Sequence, residues 1–490
     1  MTEKTAYDGG LIGVNSFGLG GTNGHLILEA GRKRNTENVT SADPTRLPTL
    51  VPLAGMTEAS VRKSLEDAMK HMQDPEYVYL LQSAFGSNIP GFTHRGYGLL
   101  GPGLQSYNNE EDIQVKKCSH VAQPPLWVIF PGLGTHWVDV GKELMSVEAF
   151  AESILRSKSI MKNIGMIPDG LLDNSFDFSN THRALVATTA VQIALWDTLR
   201  AILPQLSSSG LIGHSCGEYL CAYADDCLSA EETLLIADAR GRVINNERKS
   251  MQTVACVDLL PEKIKLPRHV RIACVNSPRN VIITGPTEAI KVFTQQLKDK
   301  GSYATILGCC DAACHSLLLD ENADLFMQYA KEIIPDSSER ARSPRWVSTC
   351  APGDTTTSWV KYASAEYFKN NAQLPVLFHD AIKEVPTDAI LIKLSPWAFL
   401  QSELKDSLSA SHEIINPVSS GGGHQVSNFC KAVGQMYNAG LDVKMTSLYP
   451  KVSLPVSVGT PFISPLIKWE HSQSWKTHIM NYPLVSLKDV

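Results

Sequence analysis

GLIGHSCGEYLCAYADDCLS, residues 210–229, packs a strand, a sharp turn and a helix around one serine, Ser215. Gly213-His214-Ser215-Cys216-Gly217 fits Gly-x-Ser-x-Gly, in which small residues on both sides let the chain turn tightly enough to hold the hydroxyl clear of the backbone. Leu211-Ile212 reads as the end of a buried strand, and the run from Glu218 to Ala224 as a helix whose first N–H groups lie beside the serine. Ser215 is therefore a candidate nucleophile, and an oxyanion developing there would find donors at the helix start. The five-residue pattern alone fixes three residues, so a chance occurrence in a loop stays open until the surroundings are read.

Those surroundings have the texture of an α/β protein. From PPLWVIFPGLGTHW, residues 124–137, apolar strands alternate with longer helical patterns, which is how a parallel sheet flanked by helices is written. Trp127 to Phe130 form a first strand that ends in Pro131-Gly132-Leu133-Gly134, a glycine-bearing loop at the strand end where α/β proteins place ligands. In TTAVQIALWDTLRAIL, Val191, Leu195, Leu199 and Ile202 make one helical stripe. Ser229-x-x-Glu232 forms a capping box for a helix that runs through Leu235 and Ile236 to Arg240. Between about 250 and 314, short strands and one helix suggest a small ferredoxin-like subdomain inserted into the larger fold, leaving a cleft between two lobes. DAACHSLLLDENADLFMQYAKEII then brings His315 to the head of a helix where the chain re-enters the large lobe. A serine on an elbow needs a base, but among 14 histidines pattern alone leaves His315 as one of several choices.

The flanks carry no such constellation. GLIGVNSFGLGGTNGHLILE, residues 10–29, reads as a β-hairpin with Gly18, Gly20, Gly21 and Gly24 in its connection, too small to fold without a larger sheet. Residues 31–122 predict a small α+β domain with strand TLVPLAG, a helix N-capped by Thr57 and strand HRGYGLL, followed by an exposed connection through YNNEEDIQVKKCSHVAQPP. The tail TPFISPLIKWEHSQSWK lacks helical periodicity and predicts an extended segment lying on another domain.

With 490 residues the chain has room for about three domains, and a formal net charge of −6 implies no polybasic surface for nucleic acid or anionic lipid. No window nears the roughly 18 consecutive apolar residues of a membrane span, and MTEKTAYDGG has no signal core, so a cytoplasmic location is expected. The 11 cysteines show no Cys-x-x-Cys, which signals neither a metal site nor a disulfide framework.

GHSCGE, Arg240 in DARGR, NSPRNVIITGP and the Cys314-His315 pair of CHS occur in the order and spacing of acyl-CoA:acyl carrier protein transacylases. The resemblance extends through ILRSKSIMK, YADDCLSAEE, RWVST, NNAQLPVLF and GTPFISPLIKWEHS to the malonyl/acetyl transferase region of animal-type fatty acid synthases and related polyketide synthases. NSFGLGGTNGHLILE resembles the closing segment of their ketosynthase domains, whose nucleophile would then lie upstream of Met1. The resemblance implies a ketosynthase tail at 1–30, a linker domain at 31–122, an acyltransferase domain at 123–447 and a trailing linker at 448–490. It also implies an acyltransferase fold with a large, parallel-sheet, α/β-hydrolase-like lobe and a small ferredoxin-like subdomain.

By the same resemblance, malonyl-type groups pass from acyl-CoA to the phosphopantetheine thiol of an acyl carrier protein by a ping-pong route, with no bound cofactor. Ser215 would be the nucleophile and His315 the base, while the amides of Leu133 and Cys216 form the oxyanion hole and Arg240 holds the substrate's free carboxylate. A main-chain carbonyl, not an acid, would orient the base. The implied partners are the ketosynthase and reducing domains of a parent synthase, homodimeric when full length. His136, Trp397 and Cys314 depart from the family's usual glutamine, histidine and phenylalanine, and a small Cys314 leaves room for methylmalonyl as well as malonyl. Two other classes compete: a serine hydrolase sharing Gly-x-Ser-x-Gly, whose residues would run serine, acid, histidine, and a non-catalytic scaffold fragment.

Overall fold

Strand ends decide where chemistry can sit, and three short strands supply the ones that matter. The computed structural model describes the chain apart from residues 1–9, 19–20, 22, 30–46, 102–112, 119–122, 133–140, 173–179, 248–251, 259–264, 308–314, 316–319, 336–338, 395–399, 419–424 and 469–490. In chain order, an antiparallel hairpin, β1 (Leu11–Phe17) and β2 (Asn23–Glu29), comes first. Gly24 lies inside β2, not in the connection as expected. Apolar side chains of both strands are exposed, Leu11 by 69% and Phe17 by 77%, so neither face of the hairpin is covered.

The next unit comprises β3 (Thr49–Gly55), α1 (Glu58–Met69), α2 (Pro75–Phe85), β4 (His94–Leu100) and β5 (Ile113–Lys117). Thr57 caps α1 as expected, its hydroxyl accepting from the Ser60 N–H at 3.2 Å. The expected connection after β4 is partly wrong: Ile113–Lys117 pairs antiparallel with β4 as the third strand of a β3-β4-β5 sheet. Its lysines hid it, because an edge strand with one wet face tolerates charges that read as loop.

The large lobe runs through β6 (Leu126–Phe130), α3 (Glu148–Asn163), α4 (Thr181–Ile202), β7 (Gly210–Gly213), α5 (Gly217–Ala224) and α6 (Ala230–Glu247). An excursion follows through β8 (Gln252–Asp258), β9 (Arg271–Val275), β10 (Asn280–Pro286), α7 (Thr287–Asp299) and β11 (Ala304–Leu307). The chain returns through α8 (Asp320–Ile333), β12 (Trp346–Val347), α9 (Ala365–Gln373), α10 (Phe378–Ile382), β13 (Ile390–Lys393), α11 (Gln401–Ser407), β14 (Glu413–Ile415) and α12 (Gln425–Asn438).

The large sheet has the order β12-β7-β6-β13-β14, every pair parallel. Register aligns Phe130 with Gly213 and Ile129 with Lys393, so three strands end together along one rim. Side chains alternate across the sheet: Val128, Phe130 and Leu211 enter the main core with α3, α4, α6 and α12, while Ile129, Ile212 and Leu391 pack against α10 and α11. The expected single stripe on α4 is too narrow. Leu185, Val186, Ile193 and Ala194 are also buried, because α4 is enclosed between α3 and α6. The small subdomain is an antiparallel sheet in the order β11-β8-β10-β9 with α7 packed on it, the 4-1-3-2 strand order of a ferredoxin-like unit.

The tail returns to the first domain. Leu466 is buried among Val51, Val61, Leu65 and Tyr77, its carbonyl accepts from the Ser64 hydroxyl at 2.6 Å, and Lys468 pairs with Asp67 at 3.0 Å. No helix of the described residues is long and apolar enough to cross a membrane. No disulfide joins the described cysteines.

Leu466→Ala should therefore lower stability by about 2–5 kcal/mol, as large-to-small core changes do, whereas Phe462→Ala, at a side chain 85% exposed, should leave it within about 0.5 kcal/mol. Urea unfolding followed by tyrosine fluorescence checks this; equal effects would mean that the tail is not anchored through Leu466.

Candidate active site

The elbow after β7 is built by close approach. An added Cβ at Gly213 would lie 2.4 Å from the Glu218 nitrogen, and one at Gly217 only 1.8 Å from the Phe130 carbonyl oxygen. Both glycines are thus fixed by space. Between them Ser215 takes φ 57°, left-handed backbone that a non-glycine residue adopts only when its surroundings impose it. The His214 N–H donates to the Phe130 carbonyl at 2.9 Å, and the first turn of α5 closes with Gly217 N–H to His214 and Glu218 N–H to Ser215 at 2.9 and 3.1 Å. Cys216 stands at the N-cap of α5, placing its peptide at the positive end of the helix.

His315 reaches this elbow from the opposite side. Its Nε2 lies 2.6 Å from Ser215 Oγ, and its Nδ1 lies 3.0 Å from the Leu374 carbonyl oxygen. A carbonyl only accepts, so Nδ1 carries a proton, and in the neutral ring Nε2 accepts from the serine hydroxyl. His315 is also left-handed, at φ 54°, with its N–H donating to the Ala372 carbonyl at 3.2 Å. Burial, helped by the positive charge of Arg240 and by His214, pushes the imidazole down to about 3, so it is uncharged at neutral pH. His214 is likewise pushed down to about 4 by burial.

Arg240 is only 6% exposed, with its guanidinium 5.7 Å from the centre of the Phe326 ring. It is not the surface arginine that helical pattern alone would suggest. The capping box that starts its helix is present as read: Ser229 N–H donates to Glu232 Oε2 at 2.8 Å and Glu232 N–H to Ser229 Oγ at 3.1 Å. Ser215, Cys216, Arg240 and His315 are thus brought to one rim of the large sheet. Leu133 and Cys314, like His136 and Trp397, lie outside the described residues.

Several residues that the sequence did not single out complete the surroundings. The Asn371 amide donates to the Ser215 carbonyl at 3.2 Å. Gln192, inside α4, donates to the carbonyls of Pro131 and Leu394 at 2.9 and 3.0 Å, holding two strand ends together. A polar chain runs from His214 through Asn276 Oδ1 at 2.8 Å and Asn280 at 3.0 Å to Glu403 at 3.0 Å, joining the small subdomain to the elbow and to α11. Nearby Lys393, at the end of β13, is fully buried and pushed down to about 8 by desolvation. Asn276 and Asn280 lie in the NSPRN stretch and Asn371 in NNAQLPVLF, both of which carry the resemblance; Gln192 carried no signal, because an amide on a helix reads equally well as surface.

A family model described as the acyl transferase domain matches residues 127–443, and one described as the ketoacyl-synthetase C-terminal extension matches residues 1–99. Among curated relatives, the highly reducing polyketide synthase sphB of Aspergillus fumigatus is 26% identical over 461 residues, covering 90% of this chain and 18% of that protein. The highly reducing polyketide synthase srdA of Neurospora crassa is 27% identical over 470 residues, covering 88% and 19%. The chain thus spans about a fifth of these relatives' length. Among solved structures, the acyl transferase domain of ZmaA superposes with a TM-score of 0.68 at 20% identity, covering 85% of this chain and 100% of that one. The acyl transferase domain of SpnD, in complex with 2-(pent-4-yn-1-yl)malonyl, superposes with a TM-score of 0.66 at 19% identity, covering 82% and 97%.

Gly217→Ala would press a methyl group onto the Phe130 carbonyl, and the elbow must shift to relieve it. Reactivity of Ser215 toward a fluorophosphonate should fall about 100-fold, with a stability loss of about 1–3 kcal/mol. Unchanged labelling would contradict the packing of the elbow.

Proposed function

The chain belongs to the acyl transferase domain family, as an acyltransferase of the polyketide synthase type, and from that premise we propose that it carries malonyl-type groups from CoA to the phosphopantetheine thiol of an acyl carrier protein through an ester on Ser215. The observation that carries this reading is the 2.6 Å contact of Ser215 Oγ with His315 Nε2, in a site that also buries Arg240. His315 takes the hydroxyl proton as Oγ attacks the thioester carbonyl carbon, and returns it to the CoA sulfur as the carbon–sulfur bond breaks. The carrier thiol then gives its proton to His315, attacks the ester carbonyl, and Ser215 recovers the proton as it leaves. The amides of Cys216 and Leu133 receive the oxyanion in both halves, each such donor being worth roughly 10²–10³ in rate. Nδ1 of His315 faces a carbonyl, Leu374, where the serine–acid–histidine order of a hydrolase would need a carboxylate, which favours the transfer reading.

Arg240 pairs with the free carboxylate of the substrate. Its charge disfavours protonation of His315, and a substrate carboxylate that offsets this charge makes the base stronger. By its small side chain, where the resembled family usually has phenylalanine, Cys314 is proposed to admit methylmalonyl beside malonyl. The uncovered hairpin β1–β2 completes its sheet on a ketosynthase body, in keeping with the match over residues 1–99. The parent synthase carries reducing and carrier domains, acts as a dimer and works in the cytoplasm.

Incubation with radiolabelled malonyl-CoA tests this reading. The expected result is an acyl-enzyme that a phosphopantetheinylated carrier protein discharges and that Ser215→Ala does not form; rapid release of free malonate instead would mean a hydrolase. In the same assay Arg240→Ala should depress malonyl transfer roughly 10–150-fold more than acetyl transfer, the equivalent of about 1.5–3 kcal/mol for a charge-assisted pair. Equal losses for the two acyl groups would remove Arg240 from the carboxylate site.

A further inference from the structure

Behind the elbow lies a buried carboxylate that acyl transfer does not use. Glu218, fully buried on the first turn of α5, accepts from the Trp346 indole N–H at 2.7 Å, from the Thr349 N–H and hydroxyl at 2.6 and 2.7 Å, and from the Tyr367 hydroxyl. Four donors can satisfy the carboxylate, and with Arg342 they offset the burial that pushes its pKa up from the usual carboxylate range. The charge facing it is Arg342, whose guanidinium stacks 4.3 Å over the Trp346 ring and 4.8 Å over the Tyr367 ring while donating to the carbonyls of Val360 and Trp346. The remaining titratable neighbours are the thiols of Cys221 and Cys350, which burial keeps protonated.

Tyr367 begins a stripe along α9. One turn later Asn371 donates to the Ser215 carbonyl, the Ala372 carbonyl receives the His315 N–H, and just past the helix Leu374 receives His315 Nδ1. Residues 367 and 371 fall on one face by helical spacing, and Leu374 is the C-cap of α9. One short helix therefore holds both the nucleophile elbow and the base through its last turn and C-cap. We propose that Glu218 and Tyr367 are positioning residues: their bond locks α9 onto the elbow, and through α9 it sets the approach of His315 to Ser215. The pair supplies the alignment that an acid on Nδ1 supplies in serine hydrolases, but it acts from behind the helix and touches neither substrate nor reacting atoms.

This rests on Ser215 and His315 acting as nucleophile and base, and the test reads their pairing without any acyl substrate. Diisopropyl fluorophosphate reacts with a serine activated by its histidine, so its second-order rate constant, corrected for folded protein, reports the alignment. Tyr367→Phe keeps the ring and its stacking and removes only the hydroxyl; Glu218→Gln keeps the shape. Each should slow the reaction about tenfold, and Glu218→Gln/Tyr367→Phe should be no slower than the worse single variant, because both cut one linkage.

The pH profile distinguishes positioning from a general loss of stability. In the parent protein the rate should stay level from about pH 7 to 5, since His315 remains neutral there; loosening α9 admits water, raises the imidazole toward its usual value of about 6.5, and makes the rate fall with pH across that range. The other groups facing His315, Arg240 and His214, are untouched by either substitution. Unmoved rates and profiles in Tyr367→Phe, a lower melting temperature with no change in profile, or single losses that multiply in the double variant would each overturn the proposal. Malonyl-CoA run in parallel on the parent protein keeps the two readings apart: a chain that reacts with the fluorophosphate but forms no malonyl ester contradicts the proposed function, and the fluorophosphate rates still decide the role of Glu218 and Tyr367.

Discussion

The bond from His315 Nδ1 to the Leu374 carbonyl, 3.0 Å long, is the constraint on which the site depends. A carbonyl cannot give a proton, so the bond chooses the tautomer, and the tautomer leaves Nε2 with a lone pair directed at Ser215. Burial enforces the choice by making the charged ring expensive. A carboxylate in place of the carbonyl would stabilise the imidazolium and raise its basicity. This arrangement keeps the resting base weak, which suits the proposed exchange of a thioester for an ester, a reaction that gains nothing from activating water.

Such a site must be held under strain. Ser215 and His315 both sit at positive φ, each such residue costing on the order of 1–3 kcal/mol, and the cost is offset by what encloses them. The rim of parallel strands fixes Phe130 and Gly213 side by side, glycines permit the approach of α5, and α9 closes over both partners. The polar chain from His214 to Glu403 then fixes the small subdomain against the same elbow, beside the apolar contacts of Ala273 and Cys274 with Val376 and Phe378.

What could be read from the sequence was local. The elbow, the Thr57 cap and the Ser229–Glu232 capping box each depend on residues within four positions of one another, and all three are present. The alternation of strands and helices likewise announced the parallel sheet. The strand Ile113–Lys117 was missed because an edge strand may carry lysines, and the full enclosure of α4 was missed because a helix packed on two sides shows no clean stripe. His315 could not be chosen from 14 histidines by spacing, and the resemblance to transacylases supplied it. The partner of its Nδ1 is a main-chain oxygen, which every residue owns, so nothing in the identity of Leu374 could have marked it. Tyr367 was silent for a related reason, since its role follows from where α9 docks, a tertiary fact; Asn371 was marked only through the resemblance, inside NNAQLPVLF.

Nitrogen-15 NMR of the imidazole of His315, assigned by its loss in His315→Gln, measures the central claim most directly. The account predicts a neutral ring protonated at Nδ1 from about pH 8 down to about pH 5, with Nε2 unprotonated beside Ser215. A ring that titrates near the usual value of about 6.5, or one that carries its proton on Nε2 at neutral pH, would contradict it.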